Sequence, residues 1–268
     1  MSAPLCKTVG VATRIAAWSE TSRIVTWITR DYGRLATLLK GAQRPRSVFL
    51  GQVDLLYTCE LVFYHSVQHG VTHVMRECDP LRPRPTFRTD WRALSAGSYL
   101  ADLVARLAPV EAPQPGLFAF LDRALDLLAT HPQTASLLLW LELKLLDQLG
   151  LTPRLQHCAG CARALEPGRT ETLLAPARGG LLCAACAQAD RSGTRPVRPD
   201  LLATLQFWHR SREPGAALHT RLGELQRGEM ESFLGSFLGH HLDLELPGRA
   251  LALDLAGRPR PATRARPA

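Results

Sequence analysis

The chain has 268 residues, 46% of them hydrophobic, with 32 Lys and Arg against 24 Asp and Glu, for a formal net charge of +8. That length fits two or three packed units, and the basic excess points to an acidic partner such as nucleic acid, with a membrane surface or plain solubility as alternatives. Lys7 and Arg14 interrupt the stretch where a signal peptide needs an apolar run, and the most apolar segment, 135–146, carries Glu142 and Lys144 and is too short for a bilayer. Export and membrane insertion are therefore not expected, and the reading is of a soluble, cytoplasmic protein.

From residue 5 to about 80 the sequence predicts five short strands, at 6–18, 22–29, 33–40, 55–64 and 71–78. They are rich in Val, Ile, Thr and aromatic residues and are separated by Asp31-Tyr32-Gly33, Gly41-Ala42-Gln43-Arg44-Pro45 and His69-Gly70. Five closely spaced strands fit a small closed OB-fold barrel, with a β-sandwich as the competing architecture.

After the proline-rich stretch "DPLRPRPTFRTD" the period changes. Leu100, Leu103, Val104 and Leu107 recur at helical spacing, and Leu121, Leu125 and Leu128 mark a second helix. A third, 134–149, is apolar nearly all round and stops at Gly150, which places it at the centre of a helical domain. Helical pattern resumes at 200–211 and in the stripe Met230, Phe233, Leu234, Phe237 and Leu238, which reads as core. The end, "RPRPATRARPA", has four arginines, three prolines and no acid, and reads as disordered.

Between these helical stretches lie two Cys-x-x-Cys pairs, Cys158 with Cys161 and Cys183 with Cys186. Each such turn points two thiolates inward, and two turns complete a tetrahedral zinc shell. Gly179-Gly180 supplies the turn into the second pair. Four thiolates leave no open position for water, so the predicted Zn2+ is structural and its binding free energy is folding free energy of the segment. A zinc-free remnant or a redox dithiol is the alternative. His157 reads as a neighbour of the site and not a ligand. Cys6, Cys59 and Cys78 read as small buried residues.

The fold class is therefore α+β: an N-terminal five-stranded OB-fold barrel followed by an all-α domain carrying a four-cysteine zinc-binding element. The expected partition is a nucleic-acid-binding barrel at 1–80, a first helical part at 81–156, the zinc element at 157–190, a second helical part at 191–253 and a basic tail at 254–268.

No nucleophile elbow, HExxH, phosphate-loop or paired-carboxylate motif is present, so no catalytic residue is assigned. His65, His69 and His73 recur every fourth residue, but in a strand-turn-strand context that does not form a metal face. His240-His241 suits a helix C-terminus. The charge is uneven: within 1–52, Lys7, Arg14, Arg23, Arg30, Arg34, Lys40, Arg44 and Arg46 stand against Glu20 and Asp31 alone. With Trp18, Trp27, Tyr32 and Phe49 they make a parts list for single-strand binding, cations for phosphates and ring faces for bases. The alternative is that Trp27 fills the barrel and the arginines are solvated.

The string "SETSRIVTWITRDYGRLATLLKGAQRPRS" (19–47), the helix running into the first cysteine pair, "LELKLLDQLGLTPRLQHCAGC" (141–161), and "GGLLCAAC" (179–186) resemble the RecO family of bacterial recombination mediators. Ala162 stands where that family commonly has glycine. The resemblance implies an OB-fold, a helical domain and, in some members, a zinc element. It further implies a non-enzymatic role in DNA repair and recombination: binding single- and double-stranded DNA, annealing complementary strands, and working with RecR to load RecA onto DNA coated by single-strand-binding protein. The C-terminal tail of that protein is a partner of the family's helical domain. Against this stand a zinc-ribbon adaptor between proteins without DNA binding, and a metal-dependent hydrolase or redox dithiol protein.

Overall fold

The computed structural model describes residues 3–66, 72–132, 135–189 and 193–257. They form two compact units, one from residues up to 132 together with 248–257, the other from 135–247. His69 and residues 258–268 of the arginine-rich tail lie outside the described residues.

The first unit holds β1 (Leu5–Ala17), β2 (Arg23–Thr29), β3 (Gly33–Leu39), β4 (Thr58–Tyr64) and β5 (His73–Arg82), closed into a barrel in the order β1-β2-β3-β5-β4. Every neighbouring pair is antiparallel except β3 with β5, where Thr37 faces His73 and Leu38 faces Val74. This is the OB-fold expected from the strand pattern. An irregularity between Ala12 and Arg14 lets the long β1 pair with β4 through its first half and with β2 through its second.

Strand alternation sends Ala12, Val25, Trp27, Leu35, Leu39, Leu61 and Phe63 into the barrel. Trp27 is fully buried, and its Nε1 donates to Thr37 Oγ1 at 2.8 Å, which satisfies the one polar atom it carries inside. The opposite strand face is apolar too. Val11 and Ile28 are buried there, where α2 (Trp91–Leu107) and α3 (Pro115–Thr130) pack on β1 and α3 packs on β2. A short turn of helix, α1 (Thr86–Thr89), precedes α2, whose first turn is capped by Asp90 accepting from the Arg92 and Ala93 amides.

The proline-rich stretch between barrel and helices is not a solvated linker. Arg84 is buried and holds a left-handed backbone angle (φ 45°). Its guanidinium donates to Asp122 Oδ1 and Asp126 Oδ1, both at 2.6 Å, to Thr58 Oγ1 at 2.8 Å, and to the carbonyls of Leu56 and Asp122 at 2.9 Å. Arg82 also pairs with Asp122. A single side chain thus fastens β4 to α3.

In the second unit, α4 (Ala135–Gln148) is buried at every position from Ala135 to Leu143. It ends at Gly150 (φ 70°): the Gly150 amide donates to Asp147 and the Leu151 amide to Leu146, a Schellman closure. Around it lie α6 (Pro199–Arg210), the short α7 (Gly215–Leu218) and α8 (Glu224–Leu242). The Met230–Leu238 stripe is buried throughout, as its spacing required. The remaining elements are a three-stranded sheet in the order β7-β6-β8, made of β6 (Thr172–Ala175), β7 (Gly180–Cys183) and β8 (Arg195–Val197), with α5 (Ala184–Ala189) directly after β7. The last helix, α9 (Pro247–Gly257), belongs from Gly248 onward to the first unit, where Gly248 lies beside Tyr99 of α2.

Candidate metal centre and nucleic-acid surface

The four cysteines meet. Cys158 and Cys161 lie on a loop whose turn is closed by the Cys158 amide to Arg163 O and the Ala162 amide to Cys158 O, with Ala162 in the left-handed region (φ 58°). That loop is seated on β7 by the Ala159 amide donating to Leu181 O, and its approach strand by reciprocal bonds between Arg154 and Gly179–Leu181. A Cβ at Gly180 would stand 2.6 Å from Arg154 N, so only glycine admits that approach. Gly179 takes φ 70° at the turn, as its place in the sequence suggested. Cys183 closes β7 and Cys186 follows within α5.

The four Sγ atoms lie within 4.8 Å of one another, and Cys161 Sγ is 3.8 Å from Cys183 Sγ. Metal–sulfur bonds of about 2.3 Å in a tetrahedron put the sulfurs about 3.8 Å apart, so the Cys161–Cys183 pair stands at the edge length of a zinc shell and the other donors lie within about 1 Å of it. Gly160 makes room: a Cβ there would approach Cys186 Sγ to 3.0 Å. Burial pushes the Cys158 thiol up, but amides of Cys183, Cys161 and Gly160 aimed at its sulfur outweigh this and bring it to about 6. Cys186, sharing protons with Cys161, Cys183 and Cys158, is pushed up to about 12. The four sulfurs are close enough to hold one metal ion, whose charge would offset their mutual repulsion as thiolates. The set fits a divalent, thiophilic metal, and no fifth candidate ligand joins it among the described residues. His157 is exposed and is not part of the cluster.

One residue outside the cysteine motif fixes this loop. Gln206 of α6 is buried, and its Nε2 donates at 2.8 Å to both Leu155 O and Leu165 O, on either side of the first cysteine pair. Nothing in its local sequence marked it, because its partners are 51 and 41 residues away.

The eight basic residues of the barrel separate into two sets. Lys7 pairs with Glu60 at 2.8 Å and Arg30 with Asp31 at 3.1 Å, which holds the Asp31 carboxyl below its usual range. Arg34 is half-buried with its Nε out of solvent, its backbone bonded to Pro109 and Glu111. Arg14, Arg23, Lys40, Arg44 and Arg46 carry no ion pair among the described residues. Arg14 faces Thr26 on the β1–β2 hairpin; Arg23 begins β2 opposite Leu39; Lys40, Arg44 and Arg46 lie in the segment after β3. That segment is tied to the hairpin turn, since the Gly41 amide donates to Ser22 Oγ and the Gln43 amide to Thr21 O.

The aromatic residues divide more sharply. Trp27 and Phe49 are core, and Tyr32 packs edge-on against Phe63 at 5.5 Å. Trp18 alone of the four is open, at 64% exposure.

Residues 1–84 match the family model for the N-terminal part of recombination protein O, and residues 88–250 that for its C-terminal part. The chain is 28% identical over 247 residues to a DNA repair protein RecO of Syntrophus aciditrophicus, covering 90% of this chain and 92% of the relative. It is 32% identical over 181 residues to that of Rhodopirellula baltica, covering 66% of each, and 29% identical over 237 residues to that of Roseiflexus, covering 88% and 81%. No helix among the described residues is long and apolar enough to cross a membrane. On two family models that between them take in nearly the whole chain, the protein belongs to the RecO family of DNA repair proteins.

Proposed function

We propose that this chain is a non-enzymatic recombination mediator: it binds single- and double-stranded DNA, anneals complementary strands, and with RecR helps load RecA onto DNA coated by single-strand-binding protein, whose C-terminal tail it contacts. Family membership gives it a role in DNA repair; the finer reading is carried by one observation. Five cations, Arg14, Arg23, Lys40, Arg44 and Arg46, have no acidic partner among the described residues and sit on one hairpin and the segment bonded to its turn.

Unpaired cations release condensed counterions when they meet phosphates, and neutralising two backbones at once lowers the repulsion that opposes annealing. Lys7, Arg30 and Arg34 contribute less, being engaged or half-buried. Cys158, Cys161, Cys183 and Cys186 would hold zinc as a brace for their loops, supplying on the order of 10 kcal/mol to the folding of the segment. With its shell filled by protein, that ion polarises no substrate.

The test is fluorescence anisotropy with labelled single-stranded oligonucleotide over a salt series, repeated on DNA coated by single-strand-binding protein. Binding that weakens steeply with salt is expected. Absence of affinity in dilute buffer overturns the reading in favour of a zinc-ribbon adaptor between proteins.

A further inference from the structure

We propose that Trp18 is the base-stacking residue of the barrel and sets its preference for single strands over duplex, an inference that rests on the DNA-binding reading above. Three observations meet at this side chain. It is the one open ring of the four aromatics in the cationic part of the barrel, Trp27 and Phe49 being core and Tyr32 packed on Phe63. It sits at the mouth of the β1–β2 hairpin, next to Ala17, which pairs with Arg23, which in turn pairs with Leu39 beside Lys40. The backbone that carries it is fixed. The Trp18 and Ser19 amides both donate to Ser22 O, Ser22 N donates to Ser19 Oγ, Arg23 Nη1 reaches the carbonyls of Ser19 and Ser22, and the 41–43 segment is bonded to Thr21 and Ser22.

An indole held open on a rigid turn costs little entropy when a ring lies on it. Water is a poor partner for that face, and the cations beside it draw in a phosphate backbone whose unpaired bases are the available rings. Duplex bases are already stacked on one another and present only their edges, so the same indole adds nothing to duplex binding. Val48 and Leu50 are also open in the segment after β3, but as aliphatic side chains they offer no ring face.

The test compares a thymidine oligonucleotide, a base-free backbone of the same length and a duplex, each against the full chain, Trp18→Ala and Trp18→Phe. The full chain is expected to prefer the thymidine strand to the base-free one. Trp18→Ala loses about tenfold on the thymidine strand and nothing on the other two, with its salt slope unchanged, and Trp18→Phe recovers most of the loss. Equal binding of thymidine and base-free strands by the full chain, or a Trp18→Ala protein that falls equally on all three ligands, overturns the stacking assignment and leaves the cationic reading standing. A full chain that binds none of the three removes both.

Discussion

Arg84 and Asp122 are locked together inside the first unit, with Arg84 Nη2 donating to Asp122 Oδ1 at 2.6 Å while the two side chains are only 4% and 8% exposed. Thr58 Oγ1 donates to the same carboxylate oxygen at 2.6 Å, so strand β4, the turn after β5 and helix α3 share one buried network. Removing Arg84 leaves Asp122 with the half-exposed Arg82, and removing Asp122 leaves Arg84 with the half-exposed Asp126, so the loss falls toward the lower end of the about 3–5 kcal/mol that breaking a buried pair costs. Arg84→Ala is therefore expected to lower the unfolding free energy by that order in urea melts. Asp126→Ala, whose carboxylate is 45% exposed, should lower it by much less. Equal effects of the two substitutions would show that burial is not what makes the Arg84 network matter.

The tetrathiolate makes a separate prediction for the second unit. Purified full chain is expected to carry one zinc per molecule by elemental analysis, and Cys183→Ser or Cys158→Ser to lose it with a lowered melting temperature. A strong chelator should reproduce the loss in the parent protein, since the bound ion stabilises only the folded state. Retained metal and unchanged melting in Cys183→Ser would refute the four-sulfur site.

Two small residues in the first loop act in opposite directions. Gly160→Ala places a methyl about 3.0 Å from Cys186 Sγ and should weaken metal retention while leaving all four ligands present. Ala162 holds φ 58°, a conformation that penalises a Cβ by about 1–2 kcal/mol, so Ala162→Gly should raise stability by about 0.5–1 kcal/mol after the entropy of the freer unfolded glycine is deducted. Chelator competition and melting of the two variants read both effects. A stabilised Gly160→Ala would contradict the close approach.

What could be read from the sequence, and what could not, follows from the range of the interactions. The five strands, the Met230–Leu238 stripe and the end of α4 at Gly150 are set by alternation, helical period and one cap, all within a few residues. The cysteine pairs declare themselves because two short turns fix four ligands. Arg84 was illegible: an arginine between two prolines reads as linker, and the carboxylates that bury it lie 38 and 42 residues on. Trp27 and Trp18 were indistinguishable as candidate stacking rings. The outer face of β1 and β2 is itself apolar where α2 and α3 cover it, so alternation did not say which way Trp27 points. For the same reason an even distribution of function over eight cations was the natural reading, whereas the acids that engage Lys7 and Arg30 become visible as partners only in the fold.

The cationic surface predicts a graded salt response. For single strands each phosphate contact contributes about −0.7 to the slope of log affinity against log salt. Arg23→Ala, Lys40→Ala and Arg44→Ala should each flatten the slope by about that amount, and the triple variant by about threefold as much. Lys7→Ala and Arg30→Ala should leave it nearly unchanged, because their charges already face Glu60 and Asp31. A slope that changes equally for all five would mean that the ion pairs open on binding and that the division between engaged and free cations has no functional weight.

The barrel also carries a pH dependence of defined sign. His73 is buried, its Nδ1 accepts from the Ser66 amide at 3.0 Å, and its Nε2 lies 3.2 Å from Glu111 Oε1, an arrangement that places the single ring proton on Nε2. Its ring stacks on His65 with centroids 4.6 Å apart. Burial, and then the neighbouring His65, hold its pKa below the ordinary histidine value, with Glu111 only partly opposing them. The unfolded chain therefore binds a proton more readily than the folded one. The stability that His73 confers is fully present above about pH 6.5 and is lost as pH falls below that value through the lower folded pKa. His241 in the second unit is depressed by burial and by His240 and adds a slope of the same sign, so a substitution at His73 should remove only part of the total. His73→Asn keeps an acceptor for the Ser66 amide but cannot be protonated. Urea melts of the two proteins should therefore converge as pH is lowered from about 7.5 to about 5, because only the parent is losing the His73 contribution. Parallel pH profiles would mean that His73 titrates alike in the folded and unfolded chain, and profiles that diverge as pH falls would show a ring held charged by Glu111 in the folded barrel; either outcome overturns the prediction.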